Sequence, residues 1–95
     1  MMTANEAREI TNKVKEDNTN SAMEKIIDKS EEKIKDAAEA GLTYTIVEVK
    51  IWMIDEDALT KQVYSYFKHL GYKPSISIYD YGNNRYIQIT ISWEE

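Results

Sequence analysis

The chain contains no cysteine. Disulfides, thiolate nucleophiles and cysteine-held zinc are therefore excluded. Glycine is scarce, and Gly41, Gly71 and Gly82 stand singly at element boundaries, so no glycine-rich loop can cradle a phosphate. His69 is the only histidine. It cannot assemble a Ser-His-Asp set or a histidine-based metal site, and it reads as a residue of a helix's last turn, where a cation suits the dipole. No apolar run approaches the ~18 residues of a membrane helix. Met1 to Glu6 lacks the basic and apolar regions of a secretory signal. The expectation is a cytoplasmic protein with no membrane segment, cofactor or metal, and with no catalytic residues to name.

Aromatic residues are absent from the first 41 positions, and all ten lie beyond Gly41. This asymmetry divides one domain, residues 1–95, into an N-terminal helical arm over 1–20 and an α/β core over 21–95. The arm is too polar to form a core of its own. The net charge of −5 arises from interleaved acids and bases without a basic stripe, which argues against binding a nucleic-acid backbone.

Thr3 and Glu6 form a capping-box pair and predict a helix start. Ala7, Ile10 and Val14 follow as a thin apolar stripe at helical spacing. The polar run Asp17 to Ser21 favours a turn or cap, and Ser21 with Glu24 repeats the capping box. A second stripe, Met23, Ile26, Ile27, Ser30, Ile34, Ala37 and Ala38, ends at Gly41. At about 100° per residue, the path from Val14 to Met23 turns the helix face by roughly half a circle. The first stripe then points away from the core, as an oligomer or partner contact made by Ala7, Ile10 and Val14. The competing expectation is a kink near Asn18 that folds the first helix back.

Thr43–Met53 alternates as a strand, with Val47, Val49, Ile51 and Met53 on one side. Its other side carries Tyr44, Ile46 and Trp52, bulky enough to expect partial cover. Asp55 to Asp57 reads as the acidic start of a helix with Leu59, Val63, Tyr66, Phe67 and Leu70 buried. Ser75–Tyr79 and Arg85–Trp93 read as a hairpin across Asp80–Asn84. The last strand is the most regular, which places it in the centre. The predicted fold is an α+β two-layer sandwich of order α-α-β-α-β-β, its three-stranded sheet ordered 1-3-2 and covered by helices on one face. The core is expected between Val47, Val49, Ile51, Ile87, Ile89 and Ile91 and the helical residues Ile27, Ile34, Leu59, Val63 and Phe67. Tyr79, Tyr81, Arg85 and Tyr86 crowd the hairpin turn. Tyr and Arg are hot-spot types, and these four are the candidate ligand or partner surface.

Thr3-Ala4-Asn5-Glu6-Ala7-Arg8, the helix exit Leu70-Gly71-Tyr72-Lys73 and the ending Ile91-Ser92-Trp93-Glu94 together resemble small accessory proteins of tailed bacteriophages infecting Gram-positive bacteria. The resemblance spans nearly the whole chain but carries over no functional residue. It implies a non-enzymatic, non-virion protein in the host cytoplasm that binds and inhibits or sequesters a host factor, either a host-defence protein or a signalling nucleotide. The alternative it leaves open is a virion-assembly or gene-control accessory protein that works through helix-mediated oligomerisation.

Overall fold

A computed structural model describes residues 1–95. Helix α1 spans Ala4–Glu39, strand β1 Tyr44–Ile51, helix α2 Glu56–His69, strand β2 Lys73–Tyr81 and strand β3 Asn84–Ser92. The sheet is antiparallel throughout, in the order β1-β3-β2. Both helices pack on one face of it, as the α+β reading requires. The two N-terminal helical segments run on as one helix of 36 residues.

Local chemistry sets the ends of the helices. The Thr3 hydroxyl accepts from the Glu6 amide at 3.1 Å and starts α1. The Asp55 carboxylate does the same for the Ala58 amide at 3.0 Å and starts α2. Both helices stop in a Schellman closure, with Leu42 N–H on the Ala37 carbonyl and Tyr72 N–H on that of Phe67. Gly41 and Gly71 supply the positive φ angles these closures need, +82° and +92°.

The polar run that predicts a turn does not interrupt α1, because its side chains are engaged elsewhere. Asn18 Nδ2 donates to the carbonyls of Trp52 and Met53 at 3.2 and 3.1 Å. The Thr19 hydroxyl donates to the Lys15 carbonyl at 2.6 Å and accepts from the Asp55 amide at 3.0 Å. Polar side chains of this kind destabilise a helix mainly by competing for its own backbone. Here both residues also bond the β1–α2 connection, so the helix continues and the chain does not fold back.

Beneath the helices lies one apolar core. It joins Val47, Val49 and Ile51 of β1 and Ile87, Ile89 and Ile91 of β3 to Leu59, Val63 and Phe67 of α2 and Ala22 and Ile26 of α1. Ile26, not Ile27, is the fully buried member of its pair, and Ile34 is only half-buried, so the helix is rotated slightly from the expected phase. Leu70 is exposed as the C-cap of α2 rather than buried in its stripe. An edge-to-face aromatic series, Phe67–Tyr72–Trp93, closes one end of the core.

Lysines of α1 cover the free edge of β1. Lys29 Nζ donates to the Glu48 carbonyl and Lys33 Nζ to that of Ile46, each at 3.2 Å. The match is geometric: four helical residues rise about 6 Å, close to the ~6.7 Å between alternate strand residues. The β2 edge is instead interrupted by Pro74, which has no N–H, and by the charged Asp80.

The molecule measures 60 × 31 × 18 Å with a radius of gyration of 15.7 Å. A compact chain of this length would have about 12 Å. The excess comes from the first part of α1, where residues 1–14 are exposed without exception.

Candidate functional site

Strand parity divides the sequence-predicted site. Tyr79 and Tyr81 of β2 and Tyr86 of β3 lie on the sheet face away from the helices, whereas Arg85 lies on the helix-covered side. Tyr79 and Tyr86 are direct cross-strand partners with rings stacked at 5.7 Å and 26°. Tyr79 then reaches across β3, and its hydroxyl donates to the Glu48 carboxylate on β1. That bond pushes the Tyr79 phenol up to about 12, because the carboxylate acceptor and the loss of solvent both favour the protonated form. The pair therefore straps the three strands together. Tyr81, at the hairpin tip, has no such partner and is 75% exposed.

Arg85 does not join the tyrosines. Its Nε and Nη2 atoms contact both carboxylate oxygens of Glu56, at 2.5 and 2.9 Å, and its Nη1 atom donates to Asp80 at 3.0 Å. The bidentate pair ties the hairpin to the start of α2. Hydrogen bonding from Arg85 holds the Glu56 carboxyl below its ordinary value, against the opposing effect of burial. A guanidinium committed to two carboxylates cannot offer a free fork to a phosphate. Neither Glu56 nor Glu48 belongs to the sequence-predicted site. No local signal pairs Glu56 with a residue 29 positions away, although the alternation of β1 does place Glu48 on the tyrosine face.

The open sheet face is uncovered, contrary to the partial cover expected from its bulk. Tyr44 and Ile46 are exposed on it, flanking a polar centre of Glu48, Gln88, Ser77, Ser75 and Thr90. Trp52 follows β1 and is 74% exposed. Met53 beside it adopts φ +50°, an unusual conformation for a residue with a side chain.

Ala7, Ile10 and Val14 also lie in the open. Ile10 is 52% and Val14 41% exposed, and no side chain of the domain covers them. The largest cleft, about 600 Å³, opens between the middle of α1 and the start of α2. Glu16, Asp55, Glu56 and Asp57 line it against a single lysine, Lys15. A smaller groove of about 310 Å³ between the helices is lined by Ile27, Ile34, Tyr66, Phe67, Leu70 and Ser30, whose buried hydroxyl has no partner.

No three His, Asp or Glu side chains gather as a metal-binding group, and no helix is long and apolar enough to cross a membrane. His69 is exposed at the end of α2. Comparison with protein-family models, with curated proteins and with solved structures finds no match for this chain.

Proposed function

We propose that the chain is a non-enzymatic binding protein, a bacteriophage accessory factor that acts in the host cytoplasm by stoichiometric contact with a host protein. The observation that carries this reading is the uncovered sheet face, with Tyr81 exposed at its rim and the Tyr79–Tyr86 stack held rigid beside it. Rigid aromatics supply large contact area at little entropic cost and recur at the centres of protein interfaces. A protein partner suits the surface better than a nucleotide. The face is open rather than concave, and the cleft between α1 and α2 presents Glu16, Asp55 and Asp57, with Glu56 already paired to Arg85, where a phosphate would need free cations.

Native mass spectrometry of the tagged chain, purified from a bacterial host that expresses it, tests the reading. The expected result is a stoichiometric protein adduct that is lost on Tyr81→Ala while the melting temperature stays unchanged, since substitutions at exposed sites move stability by about 0.5 kcal/mol or less. A retained nucleotide in place of a protein would shift the reading to sequestration. An adduct of neither kind would end it. The exposed apolar arm favours a second reading, a virion-assembly or gene-control accessory protein that works by self-association. That protein would assemble without any host adduct.

A further inference from the structure

The arm carries a narrow, self-complementary seam. Ala7, Ile10, Val14 and Asn18 recur at intervals of three, four and four residues, which places them on one face of α1 at about 100° per residue. The core-facing residues Thr19 and Ile26 lie about 120° or more around the helix from Ile10 and Val14, while Ala22, four residues after Asn18, marks where the seam turns into the core stripe. The seam leads directly to an exposed apolar patch, because Asn18 is the residue that holds the carbonyls of Trp52 and Met53. Met1 and Met2 are exposed at the far end of the same arm.

We propose that a second copy of this chain covers the seam, as a two-fold symmetric dimer in which the two arms cross antiparallel with Ile10 at the axis. Three features select that occupant and that direction. Size is the first. An antiparallel pair sets the small Ala7 of one copy beside the larger Val14 of the other, twice over. A parallel pair would stack Ala7 on Ala7 and leave a gap.

Charge is the second feature. Glu6 and Lys13 lie on the same flank of the seam, and in an antiparallel pair like flanks face each other. Glu6 of one copy then comes within one residue, about 1.5 Å along the axis, of Lys13 of the other, and symmetry repeats the contact. Within one chain Glu6 makes no ion pair, whereas Lys13 has only an exposed i,i+4 contact to Asp17 at 3.0 Å.

Reach is the third. With Ile10 on the axis, Met2 of one copy comes level with Asn18 of the other, beside its Trp52 and Met53. A seam of three or four side chains alone is thin against the roughly 800 Å² per partner that a stable complex buries. The Met2–Trp52 contacts at both ends add the aromatic anchor such an interface lacks. The two domains sit at opposite ends of the paired arms, so they do not collide. The dimer does not depend on what the sheet face binds.

The absence of native cysteine makes the test direct. Sedimentation equilibrium of the full chain over a wide concentration range should show a monomer–dimer equilibrium, and Ile10→Asp should weaken it by roughly thirtyfold, the scale of an interface hot spot. Circular dichroism should show Ile10→Asp folded as the parent is, since Ile10 touches no core residue. Under mild oxidation Ile10→Cys should cross-link to itself. Glu32→Cys, further along the same helix face, should not. Ala7→Cys mixed with Val14→Cys should give the mixed dimer, whereas each alone should give little. Self-linking of Ala7→Cys and Val14→Cys would mean a parallel pair and overturn the arrangement. A monomer at every concentration overturns the proposal. So does a dimer indifferent to Ile10→Asp, which would place the contact elsewhere, for instance at the β2 edge.

Discussion

Asn18 donates its side-chain amide to the backbone carbonyl of Trp52, 34 residues further along the chain, at 3.2 Å. With its second bond to Met53 it fixes the turn at which β1 leaves the sheet, and it sits beside the residue with the one positive φ outside glycine. Thr19 anchors the same connection through the Asp55 amide. Thr19→Ala should cost about 1–3 kcal/mol, because it leaves the buried-side amide of Asp55 without its partner. Asn18→Ala, more accessible to water, should cost about 1 kcal/mol. Urea denaturation checks both. Equal and negligible losses would show that the connection holds without α1.

Ile89 is fully buried at the centre of β3, opposite Val47 on one side and Ile76 on the other. Ile89→Ala should cost about 2–5 kcal/mol as a large-to-small change in the core. Thr90→Ala, on the open face, should change stability by about 0.5 kcal/mol or less. A loss below about 0.5 kcal/mol at Ile89 would mean that the strand register is wrong.

The Arg85–Glu56 pair makes stability depend on pH in the acid range. Hydrogen bonding to Arg85 lowers the Glu56 value in the folded chain from the ordinary 4.5. The group is a carboxyl whose folded value is depressed. Its stabilising contribution is therefore complete above the unfolded value and is lost as pH falls through the folded one. The difference in melting temperature between the parent chain and Glu56→Gln should shrink on titration from roughly pH 6 to pH 3. A constant difference over that range would show that the pair contributes nothing that titrates.

Tyr79 gives the opposite edge of the pH profile. Its folded value of about 12 stands above the ordinary 10.0 because the Glu48 carboxylate accepts the phenol's proton bond. The folded group is raised, so its contribution is present below pH 10.0 and disappears as pH rises through about 12. In an alkaline absorbance titration, one tyrosine should ionise late. Glu48→Gln should bring it forward, and Tyr79→Phe should remove it. If Tyr79→Phe removes an early-titrating phenol instead, the strap across β3 does not form in solution.

Much of this fold was written in short-range pattern. Alternation assigned the side chains of Tyr44–Ile51 and Asn84–Ser92 to their faces, because successive strand residues point to opposite sides. Met53, expected on the core side, instead lies beyond the end of β1 and is exposed, its backbone turned out of the strand at φ +50°. The regularity of Ile87, Ile89 and Ile91 placed β3 in the centre, where both neighbours bury it. Capping residues and glycines marked the helix ends, since those bonds close within a few residues. The arm's phase was legible for the same reason: helical rotation makes Ala7, Ile10 and Val14 diverge from the core stripe.

What the tertiary structure alone decided are the partners of polar groups. Asp17 to Ser21 looks like a break in any local reading, and α1 continues through it because Asn18 and Thr19 bond Trp52, Met53 and Asp55 from the other side of the chain. Arg85 looks like a free cation at a strand mouth, and it is held by Glu56 and Asp80. Tyr79 looks like one of three equivalent tyrosines, yet Glu48 two strands away makes it a strap and leaves Tyr81 as the exposed one. Apolar pattern is periodic and can be read along the chain. A hydrogen bond between residues some 30 positions apart exists only once folding has brought its two ends together.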